Sequence, residues 1–369
     1  MTTFDRLKPP GEQDQKPAVR IHEVDFDDPY VNLETFEDIT SQVSELSDMG
    51  YYGDTSIDFE RTRKGTIDRS NPATQELLHR LPSFSDWLDL VPTAGALDAL
   101  YDPEKTNFVN GKPVDDKLRE WLRNLSDARG IRSRAMVVSG LLQDQAARLD
   151  RPLRGVSLAS GAALPIISTA AKIGHDSGNI PEFTLVDKDT KALRLAESYA
   201  RDAGIADSVT TGNMNILRPD GLAYRETGNR LRDFSANAVA KALGRRRLQA
   251  SAYDVVEVVG LTEYLKPEDW VYKYNKVIET KLPMAGAKTF LKNAFELVRP
   301  GGVLLVGNML ATHPQLGFTL NTIQWPHIQP RSIEQMAEIF YEAGISSDVD
   351  AYVPEDGVYA VYQLRKGVE

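Results

Sequence analysis

Between Val31 and Met49 the apolar residues Val31, Leu33, Phe36, Ile39, Val43 and Leu46 recur mostly at three- or four-residue steps, the period of a helix with one buried face. The run G-Y-Y-G-D, Gly50 to Asp54, ends it. Helical patterns return at Pro72 to Leu81 and at Ser85 to Tyr101, the second divisible at Pro92 and Gly95. Asp115 to Arg129 and Ile131 to Leu149 follow, with Gly130 as the expected break between them. Before about Pro29 charge, proline and glutamine leave little to bury, which predicts a mobile arm over 1–30. Residues 31–130 then read as a mainly helical region, a lid over a site or a dimerisation face.

At Leu153 the period changes. Gly155 to Ala159, Phe183 to Val186, Tyr253 to Val259 and Gly302 to Val306 are short apolar runs rich in β-branched residues, the pattern of strands buried on both faces. Helices are expected between them at Thr190 to Ala203, Pro267 to Lys281 and Ala285 to Val298, and a further one at Ser332 to Ala343. This alternation predicts an α/β fold with a doubly wound, mostly parallel sheet and a ligand crevice at the carboxyl ends of its strands. Two last strands, Ser347 to Val353 and Val358 to Leu364, are joined by P-E-D-G, a connection so short that they must pair antiparallel.

Composition narrows the chemistry. The 369 residues, 41% hydrophobic and 26% charged, suffice for a large domain with a smaller appendage. Without cysteine there is no disulfide, thiolate metal site or cysteine nucleophile, and no two of the five histidines stand four apart on a helix, so no metal site is expected. A formal charge of −10 argues against nucleic acid or an anionic membrane as partner. No apolar run is long enough to span a bilayer and M-T-T-F-D-R-L-K-P-P has no secretory pattern, so cytoplasmic residence is the expectation.

Several motifs carry a resemblance. R-G-V-S-L-A-S-G-A-A-L-P, Arg154 to Pro165, is an apolar strand running into very small residues; alone it is equally a buried strand with a small-residue corner. Phe183-Thr184-Leu185-Val186-Asp187, followed by Lys188-Asp189, is a strand ending in a carboxylate, which offers acceptors to a pair of hydroxyls or caps the next helix. Ser208 to Met214 is a further strand ending in Gly-Asn. Glu257-Val258-Val259-Gly260-Leu261-Thr262-Glu263-Tyr264-Leu265 follows a strand start at Tyr253. Val298-Arg299-Pro300-Gly301-Gly302-Val303-Leu304 is a helix-to-strand joint. In this order, over roughly Ile131 to Lys366, they resemble the class I S-adenosylmethionine-dependent methyltransferase family.

The resemblance implies a sheet of seven strands ending in an antiparallel hairpin, with residues 131–369 as the cofactor-binding domain. It aligns Ser157 with the family's acidic position, and Ala159, Gly161 and Ala163 with its three loop glycines. Alanine tolerates positive φ poorly, so the loop geometry is in question, and Ser157 offers only a neutral hydroxyl where the family has a carboxylate. It assigns Ala159, Ser160, Gly161, Asp187, Lys188, Asn213, Met214, Val259 and Gly260 to S-adenosylmethionine, with Asp187 on the ribose and Asn213 and Met214 at the adenine. Glu263 and Tyr264 then stand beside the transferred methyl. With His327, a histidine that titrates near neutrality, they are the catalytic candidates. Tyr51, Tyr52, Asn308, His313 and Trp325 are the candidates for contacting substrate. Glu257 is odd inside a buried strand and is read as facing the crevice. A basic island from Arg225 to Arg247 is a solvated face or a binding surface.

The implied activity is methyl transfer to an O, N or C nucleophile of a small molecule, with a homodimer open to it. Two alternatives stand beside it: attack on the cofactor's aminocarboxypropyl carbon, releasing methylthioadenosine, and an inactive methyltransferase-like binding subunit.

Overall fold

The structure is a computed structural model that describes residues 16–49, 67–218, 221–224, 248–273 and 281–368. Tyr51 and Tyr52, and the basic residues Arg225 to Arg247, lie outside the described residues.

The chain opens with β1 (Val19–Val24) and α1 (Leu33–Met49), then α2 (Pro72–Arg80), α3 (Phe84–Leu88), α4 (Ala94–Tyr101), α5 (Asp116–Asn124) and α6 (Ser126–Ala147). Strands and helices then alternate: β2 (Arg154–Leu158), α7 (Leu164–Ser177), β3 (Glu182–Asp187), α8 (Thr190–Asp202), β4 (Val209–Asn213) and β5 (Tyr253–Val258). The last elements are α9 (Ala287–Leu297), β6 (Val298–Met309), α10 (Ile333–Glu342), β7 (Val349–Pro354) and β8 (Tyr359–Arg365).

The main sheet has the order β1-β7-β8-β6-β5-β2-β3-β4. Every neighbouring pair is parallel except those made by β8, which runs antiparallel to both β6 and β7. The class I methyltransferase fold expected from the sequence fits this sheet, with eight strands in place of the seven expected. The extra strand comes from the stretch read as a mobile arm. Val19 to Val24 pair in register with Val349 to Pro354, and Asp28, just beyond, is buried in an ion pair with Arg132 of α6 at 2.7 Å. A polar, half-exposed edge strand buries too little to show in a hydropathy pattern; its partner strand supplies the order.

Alternate residues of the central strands face opposite ways. Val156, Leu158, Val256, Val258, Leu304 and Val306 pack under α9 and α10, while Val255, Val303, Leu305 and Leu185 pack under α6, α7 and α8. A third apolar cluster joins α1 to α5 to Met309, Phe318, Trp325 and Tyr359 at the carboxyl end of the sheet. Helices α1 to α5 are thus packed against that end of the sheet.

Two helix boundaries differ from expectation. The break expected at Gly130 falls at Leu125, and α6 runs through Gly130 because that position is a close-packing point: a Cβ there would meet Val358 at 2.5 Å. This places the helix across the expected 130/131 boundary. Within the span where a helix is expected, Pro267 to Lys281, the described residues Trp270–Lys273 pair antiparallel with Lys281–Met284 instead, and 274–280 lie outside the described residues. Trp270, Val271 and Tyr272 are β-favouring residues that a helical period alone does not weigh.

Candidate active site

The carboxyl ends of β2, β3, β4 and β5 lie side by side, and the turn after β2 is where the sequence departs from its glycine pattern. Ala159, Gly161 and Ala163 have φ of 56°, 54° and 51°. Both alanines therefore adopt the left-handed conformation that glycine reaches freely, at roughly 1–2 kcal/mol each. The loop keeps its geometry, so the expected difficulty is one of energy and not of shape. A Cβ on Gly161 would touch only the Ala94 methyl, at 3.5 Å, so that position is open to the groove.

Asp187, at the end of β3, binds this turn. Its Oδ2 accepts from Gly161 N–H at 2.9 Å and its Oδ1 from Asp189 N–H at 2.8 Å, while Asp189 itself caps α8 through Lys191 N–H. Each carboxylate oxygen keeps a further lone pair for a ligand hydroxyl. Ser160 N–H donates to Val186 O at 3.1 Å, so its position is set by the neighbouring strand. Asn213 donates through Nδ2 to the carbonyls of Asp187 and Lys188, at 3.2 and 2.9 Å, which leaves its exposed carbonyl oxygen as an acceptor. The Lys188 side chain is exposed, and Met214 is buried in the core beneath the strand ends.

Beyond β5 the chain turns at Gly260, with φ of 104°, into a short helical turn, Thr262–Tyr264. Here a narrow cavity of about 20 Å³ is lined by Arg134, Gly260, Glu263, Tyr264, Trp325 and Tyr359 among others. Trp325 Nε1–H donates to Tyr264 Oη at 2.6 Å, which fixes the two rings as one wall. The Arg134 guanidinium lies over the Tyr359 ring, 4.4 Å from its centre, and 3.6 Å from Glu263 Oε1. Glu263 Oε2 and Arg134 Nη1 are both buried and have no hydrogen-bond partner.

Two other buried carboxylates, Asp254 and Asp28, are answered by arginines. Asp254 accepts from Arg151 at 2.9 and 3.0 Å and from Arg154 N–H at 2.8 Å, and Asp28 from Arg132. A buried acceptor and a buried donor left open side by side are costly unless something else engages them. Burial pushes the Glu263 carboxyl above its ordinary range, with Arg134 pulling the other way. Burial likewise raises the Tyr264 and Tyr359 phenols, which keeps both protonated.

The structure thus brings Gly260, Glu263, Tyr264 and Trp325 to one cavity. It places three other candidates elsewhere. Asn308 spends its side chain inside the core, donating to Met309 O at 2.7 Å and accepting from Arg331 at 3.0 Å. His313 is buried: its Nδ1 accepts from Gln315 N–H at 2.9 Å, so Nε2 carries the proton and faces Asp127 at 3.3 Å. His327, with φ of 65°, is exposed and does not line the cavity.

Arg134 was absent from the sequence candidates. The signal was there: it stands three residues after Ile131 and four before Val138, on the buried stripe of α6, where an unpaired charge is out of place. Among the described residues no cluster suited to a metal ion occurs, and no helix is long and apolar enough to cross a membrane.

No protein-family model and no curated protein matches the chain. Among solved structures, a protein from Bordetella parapertussis described as a possible exported protein is similar over 92% of this chain and 100% of that one, with a TM-score of 0.54 and 15% identity. A SAM-dependent methyltransferase from Geobacter sulfurreducens, solved with S-adenosyl-L-homocysteine, is similar over 61% of this chain and 68% of that one, with a TM-score of 0.35 and 15% identity. The CMeT domain of the citrinin polyketide synthase is similar over 92% and 81%, with a TM-score of 0.45 and 13% identity. At these identities the likeness concerns the fold.

Proposed function

We propose that the protein is an S-adenosylmethionine-dependent methyltransferase acting on a small molecule. The observation that carries this reading is that the carboxyl ends of the neighbouring strands β2, β3 and β5 carry a left-handed small-residue turn bonded to Asp187 and, after β5, a buried carboxylate with an open oxygen. The residues fit the cofactor. Asp187 has lone pairs for the ribose hydroxyls, Asn213 a carbonyl for the adenine amino group, and the turn around Gly161 lacks side chains that would fill the groove. S-adenosylmethionine supplies an electrophilic methyl group on a sulfonium.

The chain's own part is proximity and one proton. The aromatic wall of Tyr264, Trp325 and Tyr359 would border a substrate, and ordering the reactants beside it would remove much of the barrier. Glu263 accepts the proton of the attacking hydroxyl or amine at Oε2, the open acceptor. A carboxyl raised above its ordinary range does this better than one within it. Arg134 Nη1 donates to the oxygen that gains charge and keeps the neighbouring Glu263 compensated. We place the protein in the cytoplasm, as its composition suggests.

The test is incubation with S-adenosylmethionine labelled in the methyl group, with a small-molecule extract as acceptor. Label in an acceptor with S-adenosylhomocysteine as by-product supports the reading. Methylthioadenosine in its place would move the attack to another carbon, and no binding of S-adenosylhomocysteine by calorimetry would end the reading.

A further inference from the structure

Ser157 and Glu257 face each other directly across β2 and β5, between Leu185 on one side and Leu305 on the other. The row is otherwise apolar and lies under α6. Glu257 is 5% exposed and Ser157 1%. A carboxylate in such a row needs compensation, and it has two bonds: Ser157 Oγ–H donates to Oε2, and Val259 N–H donates to Oε1 at 2.6 Å. Val259 begins the turn to Gly260 and the cavity, and Ser157 lies two residues before Ala159, the first left-handed residue of the other turn. One side chain therefore touches both strand ends that border the groove. The charged group facing it is Arg134 of α6, which also faces Glu263.

We infer that Glu257 is the acidic group of the cofactor site, carried on β5 instead of β2, and that it acts as a positioning residue by tying the turns after β2 and β5 to each other. The inference rests on the proposed cofactor reading. It explains why the position of Ser157 tolerates a hydroxyl: the same pair of facing positions still holds one carboxylate and one partner, with the two exchanged. It also gives the buried carboxylate a reason to be there, since an apolar residue beside Leu305 would pack at no electrostatic cost. Burial pushes this carboxyl up to about 7, with Ser157, Val259 and Arg134 working in the opposite direction. The tie accepts two hydrogen bonds only as the carboxylate, so it is complete above neutrality and weaker below.

The test is calorimetric titration of the full chain with S-adenosylhomocysteine, using wild type, Glu257→Ser, Glu257→Gln and the exchanged double variant Ser157→Asp with Glu257→Ser. The expected result is a loss of about tenfold or more in Glu257→Ser, equivalent to losing one charge-assisted bond, and recovery to within about threefold in the double variant. Wild-type affinity rises between pH 6 and 8, and Glu257→Gln, which cannot ionise, lacks that slope. Circular dichroism confirms that each variant is folded. Unchanged affinity in Glu257→Ser, or a folded double variant no better than it, overturns the inference while leaving the cofactor reading intact. If Glu257→Ser and the double variant do not fold, the slope decides: a Glu257→Gln variant that keeps the wild-type pH dependence overturns it. A wild type that binds no S-adenosylhomocysteine ends the cofactor reading and the inference together.

Discussion

The turns after β2 and β5 stand at the carboxyl ends of neighbouring strands and are held by different physics. After β2, shape comes from backbone conformation: two alanines and a glycine at φ near 55°, and a carboxylate from the next strand accepting the Gly161 N–H. After β5, it comes from buried charge: Glu257, Glu263 and Arg134 share one apolar enclosure under α6. The first kind of turn costs local strain. The second costs desolvation and responds to pH, because burial moves its carboxyls toward the range in which they titrate.

The largest expected effect is on the ionisable side. Glu263→Gln keeps the size of the side chain and removes the base, so turnover falls by roughly 10²–10⁴-fold while affinity for S-adenosylhomocysteine stays near wild type. Single-turnover rates beside calorimetry separate the two, and an equal loss in both would return Glu263 to a structural role. In the wild type, the rate follows the ionised fraction of Glu263. Its raised pKa puts the acid limb of the pH–rate profile above the ordinary carboxylate range, and a limb near 4 would contradict the assignment.

The next effect concerns stability. Glu257 titrates at about 7 in the folded protein against an ordinary 4.5. Between these values the folded chain holds a proton that the unfolded chain has released, so rising pH favours unfolding through this group. The sign is that of a raised carboxyl: the contribution is present below pH 4.5, lost as pH rises to 7, and constant above. At 1.36 kcal/mol per unit the change amounts to roughly 3 kcal/mol. Urea melts at pH 5 and pH 8 should therefore show wild type losing stability relative to Glu257→Gln by an amount of this order. Parallel behaviour of the two proteins would show that Glu257 is ionised throughout.

On the rigid side, Asp187→Ala removes the acceptor of Gly161 N–H together with the proposed ribose contact. Cofactor affinity should fall by roughly 30–100-fold, read by calorimetry, with little change in its pH dependence. The smallest effect sharpens the comparison: Ala159→Gly and Ala163→Gly each relieve left-handed strain but add chain entropy to the unfolded state. A net gain of about 0.5–1 kcal/mol per site is expected in thermal or urea melts. Destabilisation of a full kcal/mol or more would mean that the alanine methyls are packed and not strained.

Much of this was legible in the chain. The strands β2, β3, β5 and β6 read correctly because each holds a short apolar run whose composition suffices to make it a strand, and Asp187 is proposed as a site residue because it ends one of them. The P-E-D-G connection fixed an antiparallel pairing because a reversal so tight leaves no alternative. The region around Trp270 did not read correctly, since a three- to four-residue spacing of apolar residues there is shared by a β-pair. Val19 to Val24 did not either, because an edge strand needs its partner to exist. His327 and His313 have the same side chain and the same candidate status, yet one is exposed and the other spends its ring on Asp127 and Gln315.

What the sequence by itself determined is the alternation of buried strands and one-sided helices, and with it the groove at the strand ends. Those follow from periodicity and composition, which are properties of neighbours along the chain. What only the tertiary structure decided is the pairing of Glu257 with Ser157 and of Arg134 with Glu263. The two members of each pair are about one hundred residues or more apart, and burial, which sets the chemistry of both carboxyls, exists only once α6 has packed across β2 and β5.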